Sequence, residues 1–398
     1  MAANENILRF PNAARDESPG RLLIPERLVE ARIACRLNQT ELANAIGVTR
    51  QAVSSYEQGT KKPDPTTMVA IADRLRQPIS FFTRGQPETF GPSSVNFYRK
   101  VGADTKRRNA ACAAYADWLG QAAYAFNDLV NYPVVSIPSF EPKESGANRY
   151  TEDEIEDIAE TVRDSFGLGL GPISNVVRLL ESKGVIVCRI VIPEEKIEAF
   201  SFWRGERPFV FLASEKESAA RSRLDAAHEL GHLCLHRWVG SEEIEDPKIL
   251  KEIEKEADRF AAAFLLPRKS FANEIYSPRL MAFVDLKRRW KVSIQAMVYR
   301  CKTLGIFDEQ QVTNLYKQIS AKKWRTREPL DGLGGLPLEQ PLLLSKVASM
   351  VLEAGRMKSD RLQSVLGLSP GWIEDLTGLP KGSLSSEPIE ADISPTLK

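Results

Sequence analysis

The chain has 398 residues, more than one ordinary hydrophobic core organises, so two or three domains are expected. Hydrophobic residues make up 43% and charged residues 27%, and a net charge of +1 excludes a whole-chain polyelectrolyte; any nucleic-acid site must be local. The five cysteines are scattered without a C-x-x-C pair, which excludes a disulfide framework and fits a reducing compartment. The polar start has no apolar core of a signal peptide, and the longest apolar run, Phe260–Leu266, is too short for a membrane span. The expectation is a cytoplasmic protein with no membrane partner.

Residues 1–20 read as a disordered leader. Helical patterning then starts near Pro25, with Leu28, Ile33, Ala34 and Leu37 apolar. Asn38-Gln39-Thr40-Glu41 is a capping box opening a short helix, and Gly47 stops it. Thr49 caps the next helix, whose Val53 and Tyr56 face inward. A further helix runs from about Thr66 to Leu75, and Ile79, Phe81 and Phe82 close the unit. Five short helices around a glycine turn form a repressor-type helix-turn-helix unit over 21–86. The run LNQTELANAIGVTRQAVSSYEQGTKKPDPTTMVAIADRL resembles the Cro/repressor (XRE) family, with Tyr56 where that family often has Trp. The resemblance implies that Gln39, Thr49, Ser54 and Lys62 contact phosphates of a double-stranded DNA operator. It likewise implies that Arg50, Gln51 and Ser55 face base edges, and a homodimer is the expected form. The chemistry agrees, since Arg forks onto guanine and Gln onto adenine. Residues 21–86 hold ten Lys/Arg against six Asp/Glu, a modest electrostatic footprint.

A connector follows over 87–147. It begins with a Pro/Gly/Ser linker, continues with one long helix from Thr105 to Asn131 expected to serve packing or dimerisation, and ends in a second, Pro-punctuated linker. A separate unit is expected over 148–270. It opens on an acidic helix, Thr151–Phe166. Gly167-Leu168-Gly169-Leu170-Gly171 mimics a phosphate loop but follows a helix and lacks the Lys-Ser/Thr ending, so it reads as a tight connection. A helix over Ile173–Glu181 leads to three strands, Val185–Ile190, Phe200–Trp203 and Pro208–Leu212. Pro208–Leu212 is the candidate edge strand for an extended substrate.

The three histidines of the chain all lie in His228-Glu229-Leu230-Gly231-His232-Leu233-Cys234-Leu235-His236. On a helix from Ala219 to His236, His228 and His232 are four apart and share a face, and Glu229 lies one step round. That is the donor pattern of a zinc hydrolase, with two imidazole ligands and a carboxylate base. His236 lies about 12 Å along the axis from His228, too far to share its ion, and reads as structural or substrate-side. Cys234 reads as core. A second helix, Lys248–Leu266, carries Glu254, Glu256 and Asp258. Glu254 is preferred as third ligand, with Asp258 on the same face positioned to hold a ligand histidine; Glu256 stays the alternative.

The segments RSRLDAAHELGHLCLH and IEKEADRFAAAFLLP resemble the ImmA/IrrE zinc metallopeptidases, a likeness covering about 150–310. Asp258 stands where that family commonly has Asn. The likeness includes LKRRWKVSIQAMVYRCKTLGIF, itself helix-turn-helix-like, and a helical subdomain is expected over 271–325. A boundary at Arg325–Gly335, a helical module over 336–384 and a disordered tail over 385–398 complete the chain. The expected fold class is thus multidomain and mainly α. It places a five-helix repressor-type unit first, a small α+β zincin-like domain with a three-strand sheet in the centre, and a helical module last. The resemblances imply a regulator that binds Zn2+, or another divalent metal such as Mn2+. They imply that it cleaves a repressor- or antitoxin-type protein, or itself within the Pro87–Ala147 connector. The rival reading is a non-enzymatic transcription factor or antitoxin whose peptidase-like domain senses or dimerises.

Overall fold

A computed structural model describes residues 22–94, 97–98, 105–142, 150–190, 199–214, 218–332 and 334–385. The expected leader, all but one residue of the expected tail and parts of the connector lie outside these residues. The N-terminal unit is five helices: α1 (Pro25–Ala34), α2 (Gln39–Ile46), α3 (Arg50–Glu57), α4 (Pro65–Leu75) and α5 (Ile79–Thr83). Its corners are made by local chemistry. Asn38 Oδ1 accepts from the Glu41 amide at 2.8 Å while Glu41 Oε2 accepts from the Asn38 amide at 2.6 Å, a reciprocal cap on α2. Gly47 ends α2 at φ 73°, a left-handed position that costs glycine little. Thr49 Oγ1 then takes the Ala52 amide at 3.1 Å and opens α3. Leu42, Val53, Met68, Ile71, Leu75, Phe81 and Phe82 fill the middle and are fully buried.

Beyond this unit come β1 (Phe97–Tyr98), α6 (Thr105–Tyr124), α7 (Glu152–Ser165), α8 (Val176–Ser182), β2 (Ile186–Ile190), β3 (Ala199–Arg204) and β4 (Arg207–Ala213). The strands form one sheet in the order β1-β3-β4-β2, with β3 antiparallel to both neighbours and β2 parallel to β4. The three expected strands are present, joined by a two-residue fourth. The edge assignment is corrected: β4, which contains Pro208–Leu212, is interior. It pairs with β3 through a tight hairpin and with β2 on its other side, so both of its backbone edges are used.

The sheet is apolar on both faces because both are covered. Ile186, Cys188, Phe200, Phe202, Phe209 and Phe211 point to one side, where Phe202 and Phe209 stack with centroids 5.1 Å apart. That side packs on α6 and on the C-terminal helices α16 (Leu343–Glu353), α17 (Ser359–Leu366) and α18 (Pro370–Thr377). Val187, Val210 and Leu212 point the other way, onto α9 (Ala219–Leu235). The period of two along each strand decides which layer each residue joins.

Helix α6 packs between the N-terminal unit and the C-terminal helices. Tyr115 Oη donates to the Ala34 carbonyl at 2.8 Å, and Trp118 Nε1 donates to Glu30. Trp118 also meets Trp372 of α18 edge-on at 5.0 Å. The helix ends at Tyr124, short of the expected Asn131. Turns replace the last stretch because Phe126 folds into the core and Tyr132 Oη donates to the Ala123 carbonyl at 2.7 Å.

The remaining helices are α10 (Ser241–Glu245), α11 (Pro247–Leu265), α12 (Arg268–Ala272), α13 (Ala282–Trp290), α14 (Ile294–Thr303) and α15 (Glu309–Ala321). The expected polar boundary at Arg325–Gly335 is a strap fastened by buried charge. Lys287 Nζ donates to Glu328 at 2.9 Å and to Asp331 at 2.7 Å, and Glu328 accepts the first amides of α14 from Ile294 and Gln295. Farther along, Glu339 takes the Val176 and Val177 amides at the start of α8 and pairs with Arg223. A carboxylate at a helix N-terminus satisfies orphan amides and the helix dipole together. In the glycine run 167–171, the carbonyls of Gly169 and Gly171 accept from the Arg163 guanidinium, the opposite polarity to a phosphate cradle.

Candidate metal centre and nucleic-acid interface

Helix α9 lies across the inner face of the sheet, and α11 packs against it. Gly231 is what lets the two backbones come so close. A Cβ there would stand 3.1 Å from Phe260 Cδ1 and 3.3 Å from Ala257 Cα. Glu254, one turn before Ala257, is thereby brought under the His228/His232 row.

Three side chains converge. His228 Nε2 and His232 Nε2 are 3.0 Å apart; His228 Nε2 is 3.5 Å from Glu254 Oε2, and His232 Nε2 is 3.4 Å from Glu254 Oε1. Among the described residues, neither oxygen of Glu254 has a hydrogen-bond partner of good geometry, although both are buried. Ligand atoms about 2.0–2.1 Å from one tetrahedral zinc ion stand about 3.3–3.4 Å from each other. The donor set therefore fits a zinc-sized cation, and among the described residues it is the group of His and carboxylate side chains that could hold a metal ion.

Each imidazole is held from behind. His228 Nδ1 meets Asp258 Oδ1 at 2.9 Å. His232 Nδ1 meets His236 Nδ1 at 3.0 Å, and His236 Nε2 meets Glu256 Oε2 at 2.9 Å. Tyr150 continues this chain, its amide reaching Glu256 at 3.4 Å while its hydroxyl donates to the Leu235 carbonyl at 3.1 Å. Glu256, the alternative third ligand, instead faces His236, because it is about 200° round α11 from Glu254. The His236 side chain is 0% exposed and lies between His232 and Glu256, and Glu256 in turn lines the groove described below. Its partners could be sensed in the sequence only as a repeat of the four-residue spacing, His232 to His236.

Glu229 points to the sheet. Ser201 Oγ, the single hydroxyl on β3, donates to Glu229 Oε2 at 2.7 Å. Sequence reading passed over Ser201; its one signal is a polar residue in Ala199-Phe200-Ser201-Phe202-Trp203, where apolar residues alternate around it. Burial pushes the Glu229 carboxyl up to about 7, against the opposing pull of His228 and of the Ser201 hydrogen bond. Burial opposes charge on His228, yet Asp258, Glu254 and Glu229 outweigh it and lift that imidazole to about 10. Burial keeps His232 below the ordinary histidine value. Burial also opposes charge on Glu254, but the two imidazoles hold its carboxyl well below the usual range. These values describe the side chains before any cation enters. A groove of about 750 Å3 opens beside Asp258 and Asp225, walled by α11, α14 and the start of α7. Cys234, expected in the core, is fully buried.

The DNA-reading candidates gather on α2, α3 and the loop after it. Arg50 and Gln51 are exposed on the first turn of α3, and Ser54 and Ser55 are half-buried one turn on. Thr49 caps the helix. Gln39 stands at the first residue of α2, where its Nε2 donates to Glu57 at 2.9 Å; Glu57 also pairs with Arg32. Exposed Lys62 reaches the Leu23 carbonyl at 3.4 Å.

Comparison with known proteins agrees with this division. The model of the IrrE N-terminal-like domain, of the M78 peptidase family, matches residues 180–302, and a helix-turn-helix family model matches residues 28–82. An uncharacterized HTH-type transcriptional regulator of Bacillus subtilis is 30% identical over 64 residues, covering 16% of this chain and 55% of that one. An uncharacterized transcriptional regulator in the ATPase CF(0) region of Rhodospirillum rubrum is 33% identical over 86 residues, covering 20% of this chain and 80% of that one. A solved Mycobacterium tuberculosis transcriptional regulator matches with 18% identity and a TM-score of 0.28, over 38% of this chain and 47% of that one. The chain thus spans about half the length of the Bacillus and Mycobacterium proteins it matches. No described helix is long and apolar enough to cross a membrane. The chain belongs to the helix-turn-helix transcriptional regulators of the XRE type, a DNA-binding family, and joins to that unit an IrrE-like domain of the metallopeptidase type.

Proposed function

We propose that this chain is a cytoplasmic zinc-dependent endopeptidase coupled to a DNA-reading domain, and that it cleaves a repressor- or antitoxin-type protein, or its own connector, to switch gene expression. The observation that carries the peptidase half is the arrangement of His228, His232 and Glu254 at ligand spacing with Glu229 beside them. His228 and His232 would hold the metal through Nε2 and Glu254 through its carboxylate, and Mn2+ could use the same donors. Bound there, the metal supplies Lewis acidity that polarises a peptide carbonyl and acidifies water near neutral pH. Asp258 and His236 fix the planes of the two imidazoles through their Nδ1 atoms. Ser201 fixes one oxygen of Glu229. The other oxygen takes the proton of the attacking water and returns it to the leaving amine, which asks for a carboxyl titrating near neutrality. In the metal-free site burial raises the Glu229 carboxyl above the usual range, the direction this role needs.

The DNA half rests on the exposed Arg50 and Gln51 at the start of α3 and on the family to which the N-terminal unit belongs. The experiment compares zinc-loaded wild type with Glu229→Gln in a host-cell extract, reading new protein N-termini by mass spectrometry. N-termini that appear only with wild type, in a regulator or in this chain's connector, are expected. Identical sets from the two proteins would contradict the peptidase reading and favour the non-enzymatic one.

A further inference from the structure

An exposed strand edge is a template for another extended backbone. In this sheet β4 is interior, so the two outer positions, apart from the two-residue β1, are β2 and β3. Only β3 carries a residue bonded to Glu229, and that residue is Ser201. The outer edge of β3 is already taken by the chain itself. The Gly205 amide donates to the Pro92 carbonyl at 3.0 Å, and Ser93 bridges to Arg204. The Ser94 amide donates to the Trp203 carbonyl at 2.8 Å, and the Trp203 amide returns to Ser94 Oγ at 2.9 Å. Farther on, Phe97 lies opposite Ser201 and Tyr98 opposite Phe200. The described residues of this segment thus pair with β3 at two places, beside its hairpin end and opposite Ser201, the residue bonded to Glu229. The segment belongs to the connector between α5 and α6, the stretch that links the DNA-reading unit to the rest of the chain.

We propose that residues 92–94 and 97–98 of this chain act as an autoinhibitory occupant, holding by main-chain hydrogen bonds the β3 edge that an extended polypeptide would otherwise take. Recognition is by main-chain hydrogen bonds, so the class of ligand is an unfolded or extended segment rather than a folded surface. A segment tethered at both ends presents itself at an effective concentration in the millimolar range. A free polypeptide is therefore excluded until the connector leaves, and what happens to the helix-turn-helix unit at one end of the connector bears directly on the peptidase-like sheet at the other. Only the naming of the incoming segment as a substrate rests on the peptidase reading; the docking site itself does not.

The test uses the full chain, stripped of metal with a chelator. The probe is a fluorescein-labelled peptide with the sequence of residues 91–98, followed by anisotropy. Ser94→Pro with Phe97→Pro removes two backbone donors from the occupant. This variant is expected to bind the peptide at least tenfold more tightly than wild type, and equal affinity, or no binding to either, overturns the proposal. Should the variant not fold, wild type supplies the second reading. Millimolar unlabelled peptide should displace the connector and accelerate deuterium exchange at the Ser94 amide, which is bonded to the Trp203 carbonyl, and an unchanged rate overturns the proposal. Peptide binding in the metal-free chain together with no hydrolysis by the zinc-loaded chain would count against the peptidase reading alone.

Discussion

Asp258→Ala and His236→Ala test how the site is built, because the two residues support neighbouring ligands from very different surroundings. Asp258 meets His228 Nδ1 at 2.9 Å, but its side chain is 52% exposed. His228 is itself only 2% exposed, so this is not a surface ion pair, but water can reach Nδ1 from the open side in place of the carboxylate. The loss should therefore cost the metal-free fold about 1 kcal/mol or less. Losing the partner that orients a ligand histidine typically weakens metal binding about 10–100-fold, which converts to roughly 1.4–2.7 kcal/mol. His236 is the reverse case in stability. Its side chain is 0% exposed and lies between His232 and Glu256, itself only 7% exposed. Removing it takes a hydrogen bond from a buried carboxylate, at about 1.5–3 kcal/mol, and leaves a cavity besides. His236→Ala should therefore lower both metal affinity and metal-free stability, whereas Asp258→Ala should lower metal affinity with little effect on that stability. Zinc affinity is read by competition with a chromophoric chelator, and stability by urea unfolding of the metal-free chain. Zinc binding by Asp258→Ala equal to wild type would refute the account of how His228 is oriented. Unchanged metal-free stability in His236→Ala would refute the buried chain from His232 to Glu256.

Gly231→Ala sets two effects against each other. Alanine gains about 1 kcal/mol of helix propensity over glycine, but its Cβ meets the backbone of α11 at 3.3 Å, and overpacking costs about 1–3 kcal/mol. Overpacking should win, so thermal unfolding and zinc affinity should both fall; a stabilised variant with intact zinc binding contradicts the close approach of α9 and α11. Arg50→Ala and Gln51→Ala should each cost about 1–3 kcal/mol of discrimination against the wrong base on a cognate operator while scrambled duplex binds as before. Unaltered sequence preference, measured by gel shift at fixed salt, contradicts base reading from the start of α3. Lys287→Ala leaves Glu328 and Asp331 without their shared cation in a fully buried setting and should destabilise by about 3–5 kcal/mol. A loss below about 1 kcal/mol in urea unfolding would mean that the strap does not need that pairing.

Local chemistry explains why so much of the fold is legible in the amino-acid sequence. The corners of the N-terminal unit are made within four residues by Asn38 with Glu41, by Gly47 and by Thr49. The same locality puts His228 and His232 on one face. What stayed hidden depends on apposition across long sequence separations. β1 is two residues long and has no period to detect. The interior place of β4 follows from the parallel pairing of β2 across an intervening strand, which no pattern within β4 announces. Glu256 and His236 meet across twenty residues, and Ser201 and Glu229 across twenty-eight. The carboxylates of Glu328, Asp331 and Glu339 look like boundary polarity in sequence, but they cap helices and pair with buried cations. Helix α15, with Val312, Leu315 and Ile319 inward, carries an apolar spacing of helical period that was equally readable in the sequence.

The most direct measurement of the central claim is anomalous diffraction at the zinc edge from crystals of the full chain grown with zinc. The account predicts one strong peak within bonding distance of His228 Nε2, His232 Nε2 and the Glu254 carboxylate, absent in crystals of His232→Ala grown the same way. No peak between these side chains in the wild type, or a peak that survives in His232→Ala, would contradict it.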